Sequence, residues 1–276
     1  ANDCTDTASF TITEPVELEI SNQGLETAID CYDGDGQIQI NIDGDSNGNG
    51  SNQNYTYTLT GTDYNGNAVS ESVQTTALNY TFTPKAGTYT VKVTDANGCE
   101  KTSDEITLTQ PDAPLAVTGT ETNVTCNDEG DGEIDITVTG GTANYTYAWT
   151  TNGGSGLDVD AEDQTWLTPG TYTVVVTDAN DCTTTETFTI TEPDELVATG
   201  SISNNNGFGI SCKGENDGSI DLSVTGGTAN YSYAWTKTGD NTFSKTTQDI
   251  DGLGPGTYNV TVTDANDCTD TASFTI

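Results

Sequence analysis

The segment PGTYTVVVTDANDC at residues 169–182 decides the fold, because it joins a strand pattern to a turn and occurs three times. Its counterparts are AGTYTVKVTDANGC at 86–99 and PGTYNVTVTDANDC at 255–268. Apolar and polar side chains alternate around Tyr172 and Val174, which is the period of a half-buried β-strand. The Asp, Asn and Gly residues that follow favour a turn. The chain therefore repeats a unit of one strand and one turn.

Two further blocks precede this segment in each repeat. The first reads GQIQINI, GEIDITV and GSIDLSV, and the second reads NYTYTLT, NYTYAWT and NYSYAWT. Trp149 and Trp235 fall in the second block, where the first repeat has Leu59, and we expect all three in a core. Strands with one apolar face must bury those faces against each other. The pattern predicts an all-β chain of tandem immunoglobulin-like β-sandwich modules in a linear array, with almost no helix.

The repeats divide the 276 residues into three modules, which we place at 13–109, 110–190 and 191–276. The first module has the longest loops. Residues 1–12, ANDCTDTASFTI, are identical to residues 265–276. We interpret residues 1–12 as the last strand of a preceding module, and the chain as one period of a three-module super-repeat.

The composition excludes several classes of function. The net charge is -37, and the chain has no His and only six Lys or Arg residues. Binding to nucleic acid or to an anionic membrane surface requires clustered cations, so neither is expected as a partner. No apolar run is long enough to insert in a membrane. Without His, and with little room for a cleft in a minimal sandwich, the chain is not expected to be an enzyme.

The chain resembles the SprB repeat family of very large Bacteroidetes cell-surface proteins. The resemblance rests on the C…DG-[SEQ]-I opening, the GGT-A-N-Y-T-Y-A-W and GTYTV-x-VTDAN-[GD]-C blocks, and the FTITEP close. The first repeat departs from the family by lacking GGT and Trp. The resemblance implies an extracellular, outer-membrane-attached adhesin, exported by the type IX route and used for attachment or gliding motility. The DTA motifs also resemble the Bacteroidetes O-glycosylation signal, which makes Thr7 and Thr271 candidate sites.

The cysteines favour disulfides in an oxidising compartment over zinc, because the chain has no CxxC pair and no His. Two pairings are open. One lies within repeats and joins Cys31–Cys99, Cys126–Cys182 and Cys212–Cys268. The other lies between adjacent modules and joins Cys31–Cys182 and Cys126–Cys268, because the first turn of one immunoglobulin-like module faces the last turn of the next in a head-to-tail array.

One loop of the first repeat has a calcium-binding pattern. Asp43, Asp45 and Asn47 occupy alternate positions before Gly48, as in the first half of an EF-hand-type loop. Asn54 stands where that loop would have a bidentate Glu, so the alternative is a solvated Asp/Asn/Gly loop. Calcium is the one cofactor that the sequence suggests. We expect acidic turns to meet at the module joints as well.

Two functions remain. In the first, the modules form a structural stalk or filament whose partners are neighbouring modules of the same chain or filament. In the second, the modules themselves bind a surface polysaccharide or a protein partner. The near-identical repeats favour the stalk, and Tyr64 with the long loops of the first repeat is where binding is expected if it occurs.

Overall fold

The computed structural model describes residues 4–12, 14, 16–43 and 54–276. Within these residues every regular element is a β-strand and every strand pairing is antiparallel. The predicted all-β class is confirmed. Among the same residues, no helix is long and apolar enough to cross a membrane.

The described chain divides into two compact units. The first comprises Ala1–Ala116, Thr139–Asn144 and Asp178–Cys182, and the second comprises Val117–Val138, Tyr145–Thr177 and Thr183–Ile276. The predicted module boundaries at 109/110 and 190/191 stay predictions.

The first unit contains one β-sandwich. Its strands are β1 (Glu19–Thr27), β2 (Gln37–Asp43), β3 (Tyr55–Asp63), β4 (Ala68–Thr75), β5 (Asn79–Phe82), β6 (Gly87–Thr94), β7 (Glu100–Thr102) and β8 (Ile106–Leu108). One sheet has the order β1-β2-β5, and the other has the order β4-β3-β6-β7, with β8 also paired to β6. The apolar faces of the two sheets meet in a core that contains Ile38, Leu59 and Val91.

The second unit contains two further sandwiches. The strands of the middle repeat are β9 (Ala116–Thr122), β10 (Gly132–Thr139), β11 (Thr146–Asn152), β12 (Gln164–Leu167), β13 (Gly170–Thr177) and β14 (Thr183–Ile190). Those of the last repeat are β15 (Val197–Ile202), β16 (Gly218–Thr225), β17 (Ser232–Lys237), β18 (Asp240–Lys245), β19 (Ile250–Leu253), β20 (Thr257–Thr263) and β21 (Thr269–Thr275). The sheet orders are β12-β10-β9 and β11-β13-β14, then β15-β16-β19 and β18-β17-β20-β21.

The predicted core residues are buried. Trp149, Trp235 and Leu59 expose 3%, 1% and 0% of their surface, so their predicted role in core packing is confirmed. Each indole still needs a partner for its polar N–H. Trp149 Nε1 donates to the carbonyl of Ala161 at 2.9 Å, and Trp235 Nε1 donates to that of Thr247 at 3.0 Å.

Residues 4–12 form no strand, although they were predicted as the last strand of a module. The identical sequence at the other end forms β21, where each residue from Thr269 to Thr275 pairs with β20. Phe10 is 90% exposed, whereas its counterpart Phe274 packs against the core that contains Trp235. The difference follows from the partner, because a strand is stable only when a neighbouring strand satisfies its backbone groups.

Candidate functional site

The distinctive chemistry of the chain lies in two kinds of turn. We call residues 95–99, 178–182 and 264–268 the aspartate turns, since each begins with the Asp of TDAN and ends with a cysteine. We call residues 30–35, 125–131 and 211–217 the cysteine loops, since each carries the other cysteine of its repeat.

Two disulfides join aspartate turns to cysteine loops. Cys31 is bonded to Cys182, and Cys126 is bonded to Cys268, with Cα–Cα distances of 5.7 Å in both cases. This distance is typical of disulfides. The bonded pairs are 151 and 142 residues apart in sequence and come from consecutive repeats.

The remaining cysteines are not bonded. Cys4, Cys99 and Cys212 are exposed free thiols. Of the two pairings that the sequence left open, the structure therefore contains the one between repeats. The within-repeat bonds from Cys31 to Cys99 and from Cys212 to Cys268 are not formed.

A buried aspartate shapes each aspartate turn. The Oδ1 atom of Asp178 accepts hydrogen bonds from the backbone N–H groups of Asn180 and Cys182, both at 2.9 Å. Its Oδ2 atom accepts from the N–H of Thr142 at 2.8 Å. Burial raises the pKa of Asp178, but these three donors stabilise the carboxylate and bring the pKa below its ordinary value.

Asp264 is held in the same way. Its carboxylate accepts from the backbone of Asn266, Cys268 and Thr228 at 2.8, 2.9 and 2.7 Å, and its pKa is lowered for the same reasons. These carboxylates are buried and occupied by backbone donors. Their geometry is that of turn caps, which fix the direction of the cysteine that follows.

A side-chain amide reinforces each bonded joint. Asn180 Nδ2 donates to the carbonyl oxygen of Asp30 at 3.1 Å, next to Cys31. Asn266 Nδ2 makes the matching bond to the carbonyl oxygen of Thr125 at 3.2 Å, next to Cys126. The second Asn of TDAN thus reaches across the joint beside the sulfur atoms.

The connecting segments also bind the cysteine loops. The N–H of Asp128 donates to Oε2 of Glu192 at 2.7 Å, and the N–H of Asp33 donates to Oε1 of Gln110 at 3.0 Å. Both Asp residues have left-handed backbones, with φ of 61° and 58°. A polar side chain immediately before a linker proline therefore caps each bonded loop. The contacts fix each joint at more points than the disulfide alone.

The predicted calcium ligands are mostly outside the described residues. Asp43 is exposed at the end of β2, whereas Asp45 and Asn47 are not described. In the part of the chain that the structure describes, no group of three or more His, Cys, Asp or Glu residues is arranged to hold a metal ion. Calcium binding stays a prediction.

The candidate glycosylation sites are both exposed. Thr271 lies on β21 opposite Thr261, and Thr7 lies in the strandless segment 4–12. Glycosylation at either residue stays a prediction.

Two aromatic features lie on the surface. Tyr64 is 57% exposed and packs edge-to-face against Tyr32, with ring centroids 6.5 Å apart. It lines a cleft of about 400 Å³ together with Asp63 and Gln110. Sequence reasoning missed Trp166, which is 73% exposed and has a left-handed φ of 62°. Gly252, at the equivalent position of the last repeat, has φ of 69°, so the aligned glycine was the available signal.

The comparison with family models decides the identity of the repeat. Two segments match the SprB repeat, at residues 118–154 and 210–239. The predicted SprB resemblance is confirmed for these segments of the middle and last repeats. The first repeat, which lacks GGT and Trp, is not among the matched residues. The match indicates a cell-surface repeat protein of the adhesion type and points to a structural module without enzymatic activity.

Two further comparisons complete the picture. No curated protein matches the chain. Among solved structures, the extracellular domains 3-5 of Drosophila OTK are 14% identical over 95% of this chain and 98% of that chain, with a TM-score of 0.31. The FN1-FN3 domains of chicken CNTN1 are 11% identical over 95% and 98%, with a TM-score of 0.26.

Proposed function

We propose that this chain is a stalk segment of a secreted bacterial cell-surface adhesin, exported by the type IX route and used in attachment or gliding. The observation that carries the proposal is the pair of disulfides between consecutive repeats, Cys31–Cys182 and Cys126–Cys268. A covalent bond across each joint removes freedom that a short linker would otherwise leave. The proposed contribution of the chain is reach and stiffness.

Several observations support this role over recognition. The buried carboxylates of Asp178 and Asp264 and the amides of Asn180 and Asn266 all act on the joints. The net charge of -37 keeps the surface hydrated and repels like-charged arrays. The investment of conserved chemistry within the repeats is therefore mechanical.

Small-angle X-ray scattering tests the stalk directly. The three free cysteines are replaced by Ser in all samples, and the test variant adds Cys31→Ser and Cys126→Ser. We expect the test variant to have a larger radius of gyration and a broader distance distribution, because the joints are released. Identical scattering curves for the parent and the test variant would show that the bonds do not restrict the joints, and the stalk proposal would fail.

Direct binding of a surface polysaccharide is the second candidate, favoured by exposed Trp166. A flat aromatic ring that stays solvent-exposed is a platform for stacking on a sugar. A glycan array on the native chain tests it, with Trp166→Ala and, for the cleft, Tyr64→Ala as variants. Reproducible binding that either variant abolishes would replace the passive stalk with a recognition module.

A further inference from the structure

One aspartate turn and one cysteine loop have no disulfide partner in this chain. Cys99 ends the aspartate turn of the first repeat, and Cys212 lies in the cysteine loop of the last repeat. Both thiols are exposed. At the other two joints, the residues equivalent to Cys99 and Cys212 are bonded to each other. The chain thus carries both halves of a third joint.

The turn at Cys99 is already shaped for the bond. Asp95 Oδ1 accepts from the N–H groups of Asn97 and Cys99 at 2.9 and 2.8 Å, and the N–H of Asp95 donates to the carbonyl of Cys99 at 3.0 Å. The bonded turn at Cys182 has the same three contacts at 2.9 Å each. No rearrangement of this turn is needed for it to enter a joint.

The loop at Cys212 likewise repeats the bonded geometry. The N–H of Glu215 donates to the carbonyl of Cys212 at 3.2 Å, as that of Glu129 does to Cys126 at 3.1 Å. Asp217 Oδ1 accepts from the N–H of Ser211 at 3.0 Å, and the matching bond at the bonded joint, to Asp131 Oδ1, is 2.9 Å. The free loop and the bonded loop are therefore built alike.

We propose that Cys99 of one copy of this chain forms a disulfide with Cys212 of a second copy, head to tail. The sequence period supports this partner. Residues 1–12 recur at 265–276, which sets a period of 264 residues. In a chain of that period, the next Cys99 follows Cys212 by 151 residues, the separation of the Cys31–Cys182 pair. The residues after the two cysteines, Glu100 and Lys213, carry opposite charges that attract across the joint.

The bond requires an oxidant. Two thiols lose two protons and two electrons, which pass to a small-molecule disulfide that is cleaved to two thiols. Oxidised glutathione is the disulfide used in the test. Each copy offers one Cys99 and one Cys212, so the expected product is an open series of dimers, trimers and longer chains.

The test uses the full chain with Cys4→Ser, which removes the third free thiol. With oxidised glutathione, we expect a ladder of oligomers on non-reducing gels and a Cys99–Cys212 peptide by mass spectrometry. Adding Cys99→Ser or Cys212→Ser gives two variants that each stay monomeric and that form a one-to-one dimer when mixed. Homodimers of either variant, or a mixture without the Cys99–Cys212 peptide, would overturn the proposal.

A further variant separates a shaped joint from random thiol coupling. Asp95→Ala removes the acceptor that holds the Cys99 turn and leaves every thiol in place. We expect coupling to slow by about tenfold, given the loss of hydrogen bonds to a charged acceptor. Asp112→Ala, an exposed Asp outside the turns, is the matched control and should couple at the parent rate. Equal rates for both variants would contradict the proposal. The stalk proposal is tested with Cys99 and Cys212 already replaced, so the two can fail independently.

Discussion

The two disulfides predict how far the chain can be stretched. Cys31 and Cys268 are 237 residues apart by their numbers, which corresponds to about 800 Å of extended chain. The loops closed by Cys31–Cys182 and Cys126–Cys268 overlap. The shortest covalent path therefore crosses one bond, runs back over the 56 residues from Cys182 to Cys126, and crosses the other. That path extends to only about 200 Å.

Single-molecule force spectroscopy with handles at both termini measures this length. Reduction should release about 600 Å of additional chain between Cys31 and Cys268. Replacing Cys126 and Cys268 by Ser leaves a shortest path of 86 residues, and replacing Cys31 and Cys182 leaves one of 95. The gain from breaking either bond alone is therefore far smaller than the gain from breaking both.

A double replacement of Cys99 and Cys212 by Ser is the decisive control. With the bonds between repeats, the shortest path stays at 56 residues, because neither cysteine takes part. With bonds within repeats, only Cys126–Cys182 would survive, and the path would lengthen to 181 residues. An oxidised double variant that extends by the longer distance would refute the interlocked arrangement.

Three further predictions concern stability. Asp178→Asn should lower the free energy of unfolding by about 1–3 kcal/mol, measured with denaturant at neutral pH, against Asp160→Asn as an exposed control with little effect. Because its folded-state pKa is lowered, Asp178 stabilises above its unfolded-state pKa, near 3.9, and this stabilisation disappears as the pH falls through the folded value; the Asn variant should lose less stability on acidification. Trp166→Gly should leave stability unchanged or raise it by about 1 kcal/mol, since Gly252 already occupies this left-handed position; a clear loss in thermal unfolding would show that the ring is structural. Calcium should raise the unfolding temperature relative to chelator, and Asp43→Asn should remove the shift; no shift in the native chain would end the calcium prediction.

The strands were predictable because their signal is local. The alternation around Tyr172 and Val174 appears in β13, where both side chains are fully buried. Trp149 was predictable for the same reason, since its block has a strand period and one apolar face. A period of two together with recurring turns is enough to identify a sandwich.

Other features depend on partners that the local sequence does not specify. Residues 4–12 and 268–276 share a sequence and differ in structure, because only the second segment has β20 beside it. The cysteine spacing permitted both disulfide pairings, and the choice required the turns to be placed in space. Trp166 was missed because the sequence shows an ordinary aromatic residue, while its exposure and left-handed φ are properties of the folded chain.

The interlocked bonds also decide which repeat carries tension. Force entering at Cys31 passes to Cys182 and leaves through Cys126 to Cys268, so it crosses the middle repeat. The flanking strands β13 and β10 belong to different sheets, and no backbone ladder joins them. The load is therefore transmitted by the packed core of that sandwich, including Trp149.

A matched pair of substitutions tests this force path. Trp149→Phe and Trp235→Phe each remove one buried indole that donates to a backbone carbonyl, the first in the middle repeat and the second in the last. In the oxidised chain, the event that releases 56 residues should occur at lower force in Trp149→Phe and at unchanged force in Trp235→Phe. After reduction, every repeat is pulled in series, and each variant should weaken its own repeat. Equal weakening of the 56-residue event by both variants in the oxidised chain would mean that tension does not follow the disulfides.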